Sequence, residues 1–422
     1  MRKSIFKKHW LLITVIILTA ALFWFLTTDN VKVWPLRNTL QYHLLTRWWG
    51  LAGEPQSGQT GVLSGNIHNE AKQPIAGAWV LLSRWDGKTY QTRSASDGSY
   101  TINGVPAGRY MPVFAAPGYA KMTVGRVKID EGEENSLNIT LTAQTPPQVS
   151  PGTAFHLGQP SNISCDSPVK SEAVRQELTF DDAGQANQQT FYYTPITATK
   201  NSRLPLLIAV YPGPADTWEC ASVPLAAQGF AVLGIGPEYS LDPERDVDQL
   251  ERLRLFARNG LFPGVDPEQI ALLGGSYSAL HVMLLLQRQP AHVNAAIILG
   301  PPTDLFEMRH QLELGNFTPP FGLDKVMVAM GFPDQEPMHY WPYSGAYHLP
   351  PSTPPLLIIH SRHDEVVPYQ QSELLAANLK LDDIPYELHL TEGDSHYLMS
   401  DTGDSREVYR MALDFLKANL KK

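Results

Sequence analysis

The 422-residue sequence holds only two cysteines, Cys165 and Cys220. Two thiols cannot build a disulfide framework or a cysteine-rich metal site. Their expected state is a pair of separate buried thiols, with one bridge as the alternative if the chain is exported. Positive charge is also scarce, since 33 Lys and Arg face 42 Asp and Glu for a net charge of −9. No basic cluster occurs beyond the N-terminal tail, which excludes a nucleic-acid surface. No grouping of His, Cys and carboxylates has ligand spacing, so the sequence implies neither metal nor organic cofactor. What the chain does have is 43% hydrophobic and 18% charged residues, the balance of a globular protein with a substantial core. At roughly 150 residues per domain, the length suits two or three domains.

Long apolar runs are absent except for one. Residues 10–28, WLLITVIILTAALFWFLTT, carry no charge and follow Arg2, Lys3, Lys7 and Lys8. As a helix this run spans roughly 28 Å, close to the thickness of a bilayer core. It ends in bulky LFWFL rather than the small residues of a cleavage site. The expectation is an uncleaved, single-pass transmembrane anchor with a cytoplasmic N-terminus and everything after residue 29 extracytoplasmic. Residues 29–60 read as a stalk with an amphipathic piece lying on the membrane surface.

From 61 to 142, short strand-like runs alternate with the turn segments KQPIAG, SDG, PAG and APGY, which predicts a small antiparallel β-sandwich. Its motifs, GNIHNEAKQPIAGAWV, SASDGSYTINGVPAGRY and APGYAK, resemble the carboxypeptidase regulatory-like domain. The match rests on the joint spacing of Pro74, Gly77, Asp97, Gly98, Gly108 and Gly118. The resemblance implies a non-catalytic companion of a secreted enzyme, and the expected role is that of a spacer.

A proline-rich stretch over 143–170 reads as a linker. Beyond it, from 171 to 422, continuous apolar strands alternate with helices. The strands are predicted at 204–211, 230–236, 269–274, 295–300, 355–360 and 386–391, and the helices at 218–228, 245–259, 277–289, 369–380 and 403–420. This predicts an α/β class, a doubly wound and mostly parallel sheet covered on both faces. Chemistry then belongs just after the strands, at their carboxyl ends.

Ser276 stands at such a place, in Gly274-Gly275-Ser276-Tyr277-Ser278, between the strand IALLG and a wholly apolar helix. A sharp strand–Ser–helix turn exposes the hydroxyl and aims a helix N-terminus at it. The usual G-x-S-x-G pattern has a final glycine where this chain has Ser278. Asp364 follows a strand in LLIIHSRHDEVVP, with Glu365 as the alternative acid. His396 follows the last strand in ELHLTEGDSHYL. The order Ser276, Asp364, His396 is the order of an α/β-hydrolase triad of nucleophile, acid and base. The other histidines, among them His281, His360 and His363, read as packing or surface groups. An oxyanion hole needs two donors. One is the backbone N–H of Tyr277. The loop Tyr211-Pro212-Gly213-Pro214 offers the other, from the Gly213 N–H or the Tyr211 hydroxyl.

AVYPGPADTW, GGSYS, HSRHDEVVPYQQSELLAANL and YELHLTEGDSH together resemble the catalytic domain of the prolyl oligopeptidase and dipeptidyl peptidase family over about residues 170–420. The resemblance implies a serine peptidase in which the hydroxyl of Tyr211 is the second oxyanion donor. The chain departs from that family in the glycine replaced by Ser278. A second departure is the small sandwich that stands where a large propeller is usual. Residues 301–349, rich in Phe, Met and Trp, read as a cap, with Phe306, Phe317, Phe321 and Trp341 as candidate pocket residues. The reading is a serine hydrolase acting on small peptide or ester substrates through an acyl-enzyme. Its alternatives are a carboxylesterase of non-peptide acyl esters and a catalytically silent binding protein on the same fold.

Overall fold

The computed structural model describes residues 14, 17–28, 30, 32–52, 58–144, 155–180, 189–236, 243–288, 290–347, 349–393, 396, 398 and 405–420. Within the expected membrane span, residues 10–13 and 15–16 lie outside the described residues, as does the basic tail. Residues 14 and 17–27 are helical. Among the described residues no helix is long and apolar enough to cross a membrane, which corrects the expected transmembrane anchor. The next helix, α1 (Trp34–Ala52), is too polar to span: it carries Arg37, Asn38, Gln41 and Arg47. It packs instead on the protein, where Arg37 pairs with Glu336 at 3.0 Å and Gln41 bonds Gln335 at 2.9 Å.

Ten short strands build the sandwich: β1 (Thr60–Asn69), β2 (Trp79–Ser83), β3 (Thr89–Arg93), β4 (Ser99–Pro106), β5 (Gly108–Tyr110), β6 (Val113–Ala115), β7 (Met122–Thr123), β8 (Val127–Ile129), β9 (Glu134–Ser136) and β10 (Ile139–Leu141). One sheet runs β10-β1-β4 with β9 also on β1, a second runs β3-β2-β6-β7, and β5 pairs with β8. Strand β1 alternates as period-two patterning requires, burying Leu63 and Ile67 against Val80, Leu82 and Phe114 of the facing sheet.

The large sheet contains β11 (Phe155–Leu157), β12 (Ser161–Cys165), β13 (Ser171–Phe180), β14 (Gln189–Thr194), β15 (Leu204–Val210), β16 (Ala231–Gly236), β17 (Val265–Gly275), β18 (Ala295–Leu299), β19 (Leu356–Ser361) and β20 (Tyr386–Thr391). Its order is β11-β13-β14-β16-β15-β17-β18-β19-β20, with β12 also on β13. From β16 to β20 every neighbouring pair is parallel. The stretch expected as a linker therefore contributes two strands, β11 and β12, to the antiparallel end of the sheet.

Strand alternation divides the core. Leu206, Ile208 and Val210 face a layer holding α3 (Pro243–Arg258) and α4 (Tyr277–Arg288). Leu207, Ala209 and Tyr211 face the opposite layer, made by α2 (Glu219–Ala227) and α9 (Ser405–Asn419). Between β18 and β19 the chain forms α5 (Leu305–Glu313), α6 (Leu323–Ala329) and α7 (Pro337–Tyr340); α8 (Gln370–Leu381) follows β19. The sandwich seats its β2–β3 hairpin on α5: a Cβ at Gly87 would stand 2.4 Å from the Phe306 carbonyl, so only glycine fits there. Arg93 stacks over Trp79 at 4.2 Å and pairs with Asp382, and Trp79 meets Tyr347 edge-on at 5.0 Å. Trp49 of α1 packs against both Trp85 of that hairpin and Phe332.

Cys165 of β12 and Cys220 of α2 are joined in a disulfide, with Cα atoms 5.5 Å apart, in place of the two separate thiols expected. The bond ties the antiparallel end of the sheet to the helix that covers it. Closing a loop of 55 residues restricts the unfolded chain, so Cys165→Ser with Cys220→Ser is expected to lower stability by about 2–4 kcal/mol. Urea unfolding measures this; an unchanged midpoint contradicts it.

Candidate active site

Strand β17 ends at Gly275 and α4 begins at Tyr277, leaving Ser276 alone in the turn with φ +53°. A left-handed conformation in a residue with a Cβ costs about 1–3 kcal/mol and persists only where its surroundings enforce it. Here the Ser276 N–H donates to the Leu299 carbonyl at 2.8 Å, and the Ser276 carbonyl accepts from the Ala279 N–H at 3.0 Å. Gly274 lets the helix close down, since a Cβ there would stand 2.7 Å from the Ser278 carbonyl oxygen. Ser278, in the position where a glycine is usual, is fully buried. Its Oγ has no hydrogen-bond partner among the described residues. The turn keeps its shape and leaves one buried hydroxyl unsatisfied, at a cost of about 1–3 kcal/mol.

The Oγ of Ser276 lies 2.6 Å from Nε2 of His396, and Nδ1 of the same ring lies 2.7 Å from Oδ2 of Asp364. Asp364 sits in the loop after β19 with its side chain wholly buried. Its Oδ1 accepts from the Val366 and Val367 N–H groups at 2.8 and 2.7 Å. Burial by itself would raise the pKa of this carboxyl. Hydrogen bonds from His360 and His396, the nearby imidazole charge of His396 and the Val367 N–H outweigh it and hold the group well below the usual carboxylate range. Glu365, the alternative acid, has no part in this arrangement.

Two residues of this cluster carried little signal in sequence. His360 lies near the end of β19 and is fully buried; its Nε2 lies 3.1 Å from Asp364 Oδ2 and 2.9 Å from the Val367 carbonyl, while Nδ1 meets Ser372 Oγ at 2.7 Å. It is a second imidazole on the same carboxylate, and the spacing His360 to Asp364 is the one trace of it in the sequence. Gly300 follows β18 with φ +50°, and a Cβ there would approach Asp364 Oδ2 to 3.3 Å and His396 Nδ1 to 3.4 Å. The missing side chain makes room for the acid–imidazole pair.

Tyr211 points to the α2 layer, where its hydroxyl meets Ser222 Oγ at 2.7 Å and its ring stacks on Trp218. Burial raises its pKa, so the phenol stays protonated. Tyr211 also borders a small pocket that holds Ser276 and His396. Gly213 lies in the loop after β15, and Tyr277 is the first residue of α4, whose first-turn N–H groups point out of the helix towards Ser276.

Of the four candidate pocket residues, the structure brings one to Ser276. Phe321 borders a cleft of about 500 Å³ that reaches Ser276 and His396. Phe306 is fully buried and stacks on Tyr340, inside the cap's own core. Phe317 is half-buried against that core. Trp341 stacks on Tyr347 beside the groove next to the sandwich. The cleft takes its walls from Met308, Met327 and Met330 together with Leu305, Val366 and Trp218, none of them singled out in sequence. Among the described residues no group of three or more His, Cys, Asp and Glu side chains has the geometry to hold a metal ion.

Two outcomes follow from this geometry. Asp364 has a lower pKa folded than unfolded, so it stabilises the fold above the ordinary carboxylate range and loses that effect as pH falls through its folded value. The acid-induced loss of stability below about pH 4 is expected to be smaller in Asp364→Asn than in the parent, measured by urea titrations across pH; equal pH profiles contradict this. Tyr211→Phe is expected to change turnover by less than about threefold and to cost about 1 kcal/mol of stability through the lost bond to Ser222. A rate loss on the order of 10²-fold would instead assign the hydroxyl to the oxyanion.

A model of the prolyl oligopeptidase family matches residues 246–422, and one of the carboxypeptidase regulatory-like domain matches residues 62–142. A comparison with curated proteins returned no match. Among solved structures the chain is similar to esterase 2 of Thermogutta terrifontis with butyrate bound, at 19% identity over 56% of this chain and 91% of that one, TM-score 0.43. The same esterase phosphonylated by sarin gives 18% identity over 57% and 94%, TM-score 0.46. Dipeptidyl peptidase 4 of Porphyromonas gingivalis gives 15% identity over 83% of this chain and 49% of that one, TM-score 0.44. Residues 246–422 thus match the prolyl oligopeptidase family and residues 62–142 the carboxypeptidase regulatory-like domain, the two families that the sequence motifs resemble.

Proposed function

We propose that the chain hydrolyses small ester or peptide substrates through an acyl-enzyme on Ser276, with His396 as base and Asp364 as its orienting acid. The observation that carries this is one imidazole hydrogen-bonded at 2.6 Å to Ser276 Oγ and at 2.7 Å to Asp364 Oδ2. A serine hydroxyl is a weak nucleophile until a base takes its proton. In the first step Oγ bonds to the substrate carbonyl carbon while its proton passes to Nε2. The carbonyl oxygen becomes an oxyanion beside the N–H groups of Tyr277 and Gly213. The bond to the leaving alcohol or amine then breaks as that group takes the proton from Nε2. A water repeats the sequence on the acyl-enzyme, giving its proton to Nε2, releasing the acid and restoring Ser276. Asp364, ionised and hydrogen-bonded on both oxygens, holds the Nδ1–H tautomer and stabilises the imidazolium that forms in each half. The disulfide Cys165–Cys220 supports a catalytic domain working in an oxidising, extracytoplasmic compartment.

A fluorophosphonate probe tests the reading: the intact protein is expected to be labelled on Ser276, and Ser276→Ala to lose the label. Labelling that survives the substitution, or fails on the intact protein, contradicts it.

A further inference from the structure

The cleft beside Ser276 is nearly all hydrocarbon and thioether. Cap helices α5 and α6 supply Leu305, Met308, Leu323, Val326 and Met327, with Met330 just beyond, and the loop holding Asp364 supplies Val366 and Val367. Among the described lining residues there is no Asp, Glu, Lys or Arg; the titratable side chains are His396, Tyr277 and Tyr343. Three of its lining side chains reach solvent at the mouth: Phe321 is 76% exposed, and Leu323 and Val326 are each 39% exposed. Phe321 and Gly322 both adopt left-handed φ, +59° and +77°, and this double turn carries the aromatic ring to the rim and starts α6. The inner wall is fixed, because Val366 and Val367 donate their N–H groups to the catalytic carboxylate itself.

We propose that this cleft is the acyl subsite and that it selects an uncharged, medium-length apolar acyl group. The preferred substrates are then acyl esters, not peptides presenting a free α-ammonium. The proposal rests on the assignment of Ser276 as the nucleophile. An ammonium entering a wall of Met, Leu and Val gives up its water with no carboxylate among the described lining residues to replace it. A methylene entering the same wall leaves water for an apolar surface, which is worth about fourfold in kcat/KM per group. Three methionines on one wall suit chains of differing branching, since thioether side chains repack readily. The cleft has the capacity for such a chain, as small-molecule sites span about 300–1,000 Å³.

The test uses the intact chain with p-nitrophenyl acetate, butyrate, hexanoate and octanoate. It compares these with aminoacyl and dipeptidyl p-nitroanilides, each with a free and an acetylated amine, and runs fluorophosphonate labelling in parallel. The expected result is labelling of Ser276 together with kcat/KM rising steadily from acetate to octanoate. Free-amine anilides should be poorer than their acetylated forms by on the order of 10²-fold. Val326→Glu, a change at a partly exposed wall position, should reduce the octanoate-to-acetate ratio by at least about tenfold. Labelling with a flat chain-length profile, or with free-amine anilides preferred, overturns the acyl subsite and leaves the serine hydrolase reading intact. An unchanged octanoate-to-acetate ratio in folded Val326→Glu also overturns it. No labelling overturns both.

Discussion

One imidazole must reach two residues that lie 120 and 32 positions away along the chain, and the fold around it meets that requirement. Parallel strands β17, β19 and β20 deliver Ser276, Asp364 and the His396 loop to the same edge of the sheet, because every parallel strand ends there. The neighbouring loops give way to them. Gly300 omits a side chain where the ring and the carboxylate meet, and Gly274 omits one where α4 closes over the strand. Ser276 accepts a left-handed backbone between them. A fully buried carboxylate is costly unless its oxygens are hydrogen-bonded. Asp364 has four donors within 3.1 Å: two backbone N–H groups and two imidazole nitrogens.

The same few residues join the Ser276–His396–Asp364 cluster to the rest of the molecule. The Val366–Val367 segment holds Asp364 on one side and walls the cleft on the other, so the cluster and the cleft share a support. His360 connects Asp364 to Ser372 of α8 and so fixes the carboxylate from behind. The cap completes the cleft and also seats the sandwich, through the hairpin around Gly87 on α5. Helix α1 braces the far side of the cap through Arg37 and Glu336. The β-sandwich also reaches the end of α8, where Arg93 pairs with Asp382.

Much of this was legible in the sequence, for definite physical reasons. Apolar strands alternating with helices identify a doubly wound sheet by their period, and the strand-end rule locates the residues around 276, 364 and 396. The five-residue turn around Ser276 was readable because its glycines answer to steric demands that can be stated without coordinates. Other features were not legible. Hydropathy of the run at 10–28 predicts a membrane span, whereas no helix among the described residues is long and apolar enough to cross one. The prolines of 143–170 suggested a linker, yet short edge strands tolerate such surroundings and two formed there. Aromatic content in the cap pointed to Phe306 and Trp341. Which faces of short, irregular helices turn inward is decided by tertiary packing, and the cleft went to methionines. Pairing of Cys165 with Cys220, the turn of Tyr211 towards Ser222 and the role of His360 all depend on distances that no local pattern encodes.

A double-mutant cycle on Ser276 and His396 measures most directly whether a single imidazole activates a single alcohol. If the two act as one unit, Ser276→Ala, His396→Ala and the double variant should share nearly the same residual kcat, because the second change removes nothing that the first has left. Rate losses that multiply in the double variant would show the two residues working independently and would contradict the account.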